Sequence, residues 1–311
     1  MQSLLGILLI IGCVFGGYMI HGGEMHVIWQ PTELLIIVGA GAGAIVLGNP
    51  RHVLTEMWHQ VRKVALRKKP DEEFQRQLLL LMYELLQTAA GGLKALDAHV
   101  EAPQESELFK RYPKILEEKK LLNFIVDNFR LMAMGKINAH ELEGVLDQEI
   151  DSIHEEMIQP AKSLGKIGEA MPGFGILAAV LGIVMTMSVV AQGAGTGEIA
   201  ERVGAAMVGT FIGIFMCYGL LDPISNMMKQ LVGEELQALE TVKVVLVTHV
   251  AGKPPLLAID AGRRLVQLNI KPSFAQLEGW IDALSGGGKD DDTPRRRATD
   301  RAPGEGDRRA A

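Results

Sequence analysis

Uncharged apolar runs alternate with charged, helix-periodic sequence along this chain, in an uneven order. The runs are Leu4–Ile20, Leu34–Leu47, Ala170–Gln192 and Val203–Leu221. A bilayer core of ~30 Å takes about 17–25 apolar residues as a helix. The third and fourth runs meet that length, while the first two are shorter and broken by glycines. Only Gly193–Arg202 joins runs three and four, whereas more than a hundred residues of charged sequence separate runs two and three. This order predicts an all-α polytopic membrane protein with four transmembrane helices and a large helical insert on one side. No acidic or basic residue lies within any run. An ion crossing here would need a titratable group from elsewhere.

Within the insert, Phe74, Leu78, Leu79, Met82, Leu85 and Leu86 fall at helical spacing over Asp71–Gln87, and Gly91-Gly92 breaks the pattern. Leu93, Leu96 and Val100 continue it briefly before Pro103, and Leu121, Ile125, Phe129 and Met132 mark a further helix. Asn138 followed by Glu141 is a capping-box signal. From there Leu142, Leu146, Ile150, Ile153 and Met157 recur with only Pro160 before run three. That predicts one long amphipathic helix leading into the membrane. After run four, Ile224–Val250 is again helical in pattern, with Met227, Leu231, Leu236 and Leu239 on one side, and ends at 251–255. Shorter helices are predicted over Leu256–Val266 and Ser273–Leu284. The resulting division is 1–49 (transmembrane helices one and two), 50–168 (insert), 169–222 (helices three and four), 223–284 (C-terminal helices) and 285–311. The last segment is rich in Gly, Asp, Arg and Pro and is expected to be disordered.

Lysine and arginine set the orientation. The loop His21–Glu33 has neither, while Arg62, Lys63, Arg67, Lys68 and Lys69 follow run two. By the positive-inside rule the insert and both termini are cytoplasmic, in a multi-pass inner-membrane protein. No basic n-region precedes Leu4, so the first run is expected to stay as an anchor and not to be cleaved. The net charge of −6 comes with no basic stripe interleaved with aromatics, so nucleic acid is not an expected partner. Cys13 and Cys217 lie inside apolar runs and read as small buried hydrophobes. No nucleophile–base pair or metal-ligand spacing suggests an enzyme or a metal site. Gly39, Gly41 and Gly43 follow no strand, so close helix packing explains them better than a phosphate loop.

Runs three and four contain Thr186, Ser188, Gln192, Thr210, Cys217 and Tyr218 as their polar residues. Hydroxyls hold water but do not titrate near neutral pH. Either the chain conducts nothing, or the proton carrier sits on a partner helix. Thr210 reads either as a path-lining hydroxyl or as one bonded to its own backbone four residues back, the commoner state of a hydroxyl in a membrane helix. Pro172 and Pro223 stand at corresponding depths on adjacent helices. Each lacks an N–H and crowds the carbonyl four residues earlier. Two readings are open: boundary prolines, or a hinge layer from which the insert hangs.

The motifs Gly16-Gly17-Tyr18, Gln30-Pro31 with Glu33-Leu34, Gly48-Asn49, Pro172-Gly173-Phe174-Gly175-Ile176, Met207-Val208-Gly209-Thr210-Phe211, Tyr218-Gly219 and Lys271-Pro272-Ser273-Phe274 together resemble the MotA subunits of the flagellar stator, over about residues 1–284. The resemblance implies a homo-oligomeric ring, a pentamer, around a dimer of the single-span partner MotB. An aspartate of that partner would carry the translocated proton, with no cofactor bound. Pro172 and Pro223 match the two prolines through which the family couples ion passage to movement of the cytoplasmic domain. Sodium-type relatives are similar except for a threonine where Ala179 stands, which implies a proton-type path. On the insert the family sets an arginine and, eight residues on, a glutamate against the rotor protein FliG. Asp97 matches the acid, Ala89 or Ala90 the arginine position, and Lys94 is the nearest cation. An exposed Lys94–Asp97 pair without rotor contact remains open. Two rival functions are an ExbB/TolQ-type energiser of an outer-membrane system and a passive membrane scaffold.

Overall fold

The structure is a computed structural model and describes residues 2–65, 71–135 and 137–285. The expectation for the tail beyond Ser285 lies outside the described residues. All described regular structure is helical: α1 (Gln2–Ile20), α2 (Met25–Ile28), α3 (Pro31–Gly48), α4 (Arg51–Ala65), α5 (Glu72–Gly91), α6 (Leu93–Glu101), α7 (Glu107–Lys110), α8 (Pro113–Glu117), α9 (Lys119–Ala133), α10 (Ala139–Val190), α11 (Thr196–Ile214), a π-helical turn (Phe215–Leu221), α12 (Asp222–Val250), α13 (Pro255–Arg263) and α14 (Phe274–Ser285). Helix α14 belongs to a separate compact unit that starts at Pro272.

The long helix expected from the insert into the membrane is one 52-residue element, α10, with Pro160 and Pro172 in its interior. Its start is the predicted capping box. Asn138 Oδ1 accepts from the Glu141 N–H at 2.9 Å, and Glu141 Oε2 accepts from the Asn138 N–H at 3.2 Å. Helix α11, the π turn and α12 likewise form one continuous stretch, Thr196–Val250. Among the described residues three helical stretches are long and apolar enough to cross a bilayer, Met25–Gly48, Ala139–Val190 and Thr196–Val250; the apolar run of α1, Leu5–Ile20, is shorter. Helix α1 packs on α11 and the π turn through Phe15, whose ring meets Phe211 at 6.1 Å and Phe215 at 5.4 Å, edge-on. Leu5, Leu8, Leu9 and Ile20 stay exposed, as do Ile176, Val180, Val184 and Met185 of α10. Exposed apolar side chains in this number suit lipid or neighbouring subunits. Cys13 is exposed, contrary to expectation, and Cys217 is buried.

The head comprises α4–α9, the first half of α10, α12 and α13. Its central helix, α5, buries Leu78, Leu79, Leu81, Met82, Leu85 and Leu86 completely. The amphipathic pattern understated this, because Leu80 and Leu81 on the supposed outer side are buried too. Gly92 stops the helix with φ +134, a conformation side-chained residues rarely adopt. On α12 the fully buried face is Met228 and Val232, with Met227, Leu231 and Leu236 only partly buried against it. Of the predicted face Leu239 is buried as expected, while the fully buried positions beside Met227 and Leu231 are Met228 and Val232.

Candidate coupling seam between the membrane helices and the head

Small residues let α10 run against α11 and α12 along a single seam. Ser225 donates its hydroxyl to the Ala161 carbonyl at 2.9 Å. A methyl added at Gly168 would lie 3.2 Å from Leu221 Cβ, and one at Gly175 would lie 2.8 Å from the Gly209 carbonyl oxygen. One at Gly213 would lie 2.6 Å from the Met171 carbonyl oxygen, and one at Gly182 would lie 2.8 Å from Ala206 Cβ. At Gly175 and Gly213 backbone meets backbone. Side-chain burial gains little inside lipid, so close approach must supply the attraction.

Both prolines sit on this seam, and neither ends its helix. Pro172 lies inside α10 and cannot bond to the carbonyl of Gly168. Gly168 is the residue that faces Leu221 and Asp222, directly before Pro223. Pro223 in turn cannot bond to the carbonyl of Gly219, and the seven residues before α12 wind as a π-helical turn. Such turns insert one residue into a helix and shift its register. The loosened backbone of one helix is thus laid against that of the other. Leu221 belongs to the apolar cluster of the membrane half, with Ile37, Met171 and Cys217, and also to that of the head, with Met157, Ala161 and Met228. A second tie crosses the same level, where Ser163 donates to Asn49 Oδ1 at 2.6 Å at the end of α3.

The remaining residues singled out by sequence spread around this seam. Thr210 is half-buried at the Gly175 crossing, its Cα 3.2 Å from where a methyl on Gly175 would stand. Its hydroxyl has no hydrogen-bond partner among the described residues, so the backbone-bonded reading is not what is observed. Thr186, buried on α10, shows that pattern instead, donating to the Gly182 carbonyl at 2.8 Å. Ala179 is half-buried on α10. Tyr218, in the π turn, is 69% exposed on the outside of the protomer. Asp97 is exposed on α6; the side chain of Lys94, on the same helix, lies outside the described residues. Ala89 and Ala90 end α5, so the arginine and acid positions of the family fall on two helices separated by the Gly92 turn.

The expectation that no acid enters the membrane bundle is overturned. Glu33, placed before run two by its sequence, is in the first turn of α3 and only 8% exposed. A methyl on Gly209 would stand 2.9 Å from its Oε2, and one on Gly182 3.5 Å from its Oε1. The error has a geometric cause. Gly182 lies 8 residues before the end of α10 and Gly209 13 residues after the start of α11 (190 − 182 and 209 − 196). At ~1.5 Å per residue those are depths of roughly 12 and 20 Å. A carboxyl one turn into its own helix is thus several turns deep in its neighbours.

In the head, by contrast, charges are paired. Lys63 meets Glu235 at 3.0 Å, Lys243 meets Asp147 at 2.8 Å, and Arg111 meets Glu84 at 2.7 Å. Burial works against the charge on Asp260, but Arg263 at 2.6 Å and Arg264 at 3.0 Å outweigh it and hold its carboxyl below the usual range. Burial and the neighbouring Glu84 carboxylate, 2.9 Å away, push the Tyr112 hydroxyl well up.

Two family models match this chain: Motility protein A N-terminal over residues 4–92, and the MotA/TolQ/ExbB proton channel family over 117–241. Chemotaxis protein LafT of Vibrio parahaemolyticus is 52% identical over 292 residues, 92% of this chain and 100% of that protein. The chain belongs to the MotA family. Motility protein A of Salmonella typhimurium is 36% identical over 285 residues, covering 91% of this chain and 96% of that one. Among solved structures, the MotAB of C. jejuni superposes with a TM-score of 0.69 at 16% identity, over 86% of this chain and 96% of that chain. The flagellar MotAB stator complex of Bacillus subtilis superposes at 0.63 and 22% identity, over 89% and 98%. As a MotA-family member the chain is a membrane-embedded stator subunit of the flagellar motor. The matches to motility proteins over 91–92% of the chain set it apart from an outer-membrane energiser.

Proposed function

We propose that this chain assembles as a fivefold ring around a dimer of a MotB-type single-span subunit in the inner membrane. Its head and both termini lie in the cytoplasm, and the head drives the rotor protein FliG with no enzymatic step of its own. The ion is the proton: Ala179 offers no hydroxyl to strip a sodium ion of water, and the partner's aspartate is the carrier. Thr210, unbonded to its own backbone, is free to hold water along the path, and Tyr218 is exposed for a neighbouring subunit. Each proton crossing 100 mV releases ~2.3 kcal/mol, enough to shift a bistable junction but not to unfold one.

The observation that carries this reading is the apposition of the two proline-loosened segments at Gly168 and Leu221. A change in the partner helix against α10 or α11 can alter the angle there without breaking either helix. The head, fused to the far ends of the same two elements, must follow. Co-expression with the partner in a motile strain lacking its own stator tests the reading. Swimming that stops when the proton gradient is collapsed is the expected result; swimming restored under collapsed gradient, or never restored, contradicts it. At the rotor, Asp97 supplies the acidic contact and Lys94 stands in for the family's arginine. The double change Lys94→Glu with Asp97→Lys should lower torque under load, and wild-type torque would place the rotor contact elsewhere.

A further inference from the structure

Glu33 has no role in the mechanism above, yet it is the one carboxyl among the described residues that is both buried and inside the membrane bundle. Its Oε2 has no hydrogen-bond partner. The seat offers no compensating charge. Gly182 faces it from α10, and the Gly182 carbonyl is already taken by the Thr186 hydroxyl at 2.8 Å. From α11 the seat is closed by Ala206 and Gly209. The cation nearest along α11, Arg202, is one turn toward the loop, exposed, and engaged with Glu198 at 3.0 Å. In the short helix α2 before α3, His26 is exposed and 3.3 Å from Glu24. A bare carboxylate in such a seat is far costlier than a carboxylic acid. An ionisable side chain kept there at that cost marks a site for an ion or a proton.

The placement is also suggestive of direction. Glu33 opens the helix that starts from the short-loop side, while the proline layer lies at the opposite, head side of the same bundle. At Gly209 a larger residue would press on the carboxyl, since a methyl there would stand 2.9 Å from Oε2.

We infer that Glu33 is a proton-binding site belonging to this chain itself, loaded from the loop side and unloading toward the carrier carboxylate of the single-span partner. In the loading step a hydronium on the loop side gives a proton to the Glu33 carboxylate, forming the neutral acid and leaving water. In the unloading step the Glu33 O–H gives that proton to the partner's carboxylate, directly or through water, and the empty site is recharged. The inference rests on the stator reading and deepens it.

The test compares wild type, Glu33→Gln and Glu33→Asp in the complete complex with its partner. Membrane amount, proton uptake into cells and torque are measured for each. Gln keeps the shape and polarity of the side chain but cannot carry a proton. Expected is wild-type assembly with proton uptake down roughly tenfold or more in Gln, and an intermediate rate in Asp. Wild-type uptake in Gln overturns the inference, as does equal loss in Gln and Asp at normal assembly, which would make side-chain length the requirement. If Gln fails to assemble, labelling of the wild-type complex by a membrane-soluble carbodiimide, which attacks protonated carboxyls, decides. Label at Glu33 that fades as pH rises upholds the inference, and no label at any pH overturns it. A wild-type complex that takes up no protons would instead defeat the stator reading itself, so the two failures are distinguishable.

Discussion

The head and the membrane bundle share two elements, α10 and the stretch of α11, π turn and α12, yet are packed by opposite means. In the head large side chains fill the space between helices, as where Leu78, Leu81 and Phe129 are wholly buried, and exposed charges pair across elements. In the bundle the contacts are made by leaving side chains out, at Gly168, Gly175, Gly182, Gly209 and Gly213. Water explains the difference. In the head, burying apolar area contributes about 25 cal/mol per Å², whereas lipid gives no such reward and only backbone proximity distinguishes one helix pairing from another. A seam held by proximity can slide or tilt at modest cost, while a jigsaw core moves as one body. That division suits a junction that must bend beneath a head that must not.

The largest expected effect comes from filling the seam. Gly213→Val places side-chain atoms against the Met171 carbonyl and the Gly175 backbone, which cannot yield as a flexible side chain would. Loss of folded protein from the membrane fraction is the expected outcome; normal yield would mean that the two helices are not in backbone contact. In the head, Leu81→Ala leaves a cavity at a fully buried position and should cost about 2–5 kcal/mol, seen as a lower thermal midpoint of the purified complex without loss of insertion. Asp260→Asn removes a carboxylate shared by two arginines and should cost about 1–3 kcal/mol. The pH dependence has a definite sign. Because the folded carboxyl sits below its usual range, its contribution is complete above an unfolded value of about 4. It fades as pH falls through the lower, folded value, and the Asn variant should lack that part of the acid loss in pH-dependent unfolding curves. The smallest effect should be a gain. Gly144 is exposed inside α10 with open space around it, so Gly144→Ala should stabilise the head by up to about 1 kcal/mol. The same change at Gly175 should do the reverse.

Much of this was legible in the sequence, and the reasons divide along the same line. In the head, apolar periodicity located α5, α9 and α10, and Asn138 with Glu141 marked the start of α10 to the residue, because burial and capping are local or periodic signals. In the bundle, periodicity is silent where every face is apolar. The two prolines could be placed at one depth, but not their contact through Gly168 and Leu221, which depends on how two helices cross. Nor was the π turn visible, and on α12 Met228 and Val232 are buried one position beyond the expected Met227 and Leu231, although Leu239 is buried as expected. Glu33 escaped notice because its own helix starts later than the helices around it.

The central claim is that the Gly168–Leu221 contact between two proline-loosened segments transmits ion passage to the head. Torque and membrane amount should be measured together for Pro223→Ala, expressed with the partner subunit. Alanine restores the N–H toward the Gly219 carbonyl and removes the ring that holds the π turn open. The account predicts a complex that inserts and binds its partner at wild-type level and generates no torque. A variant that assembles normally and swims at wild-type speed under load would contradict it.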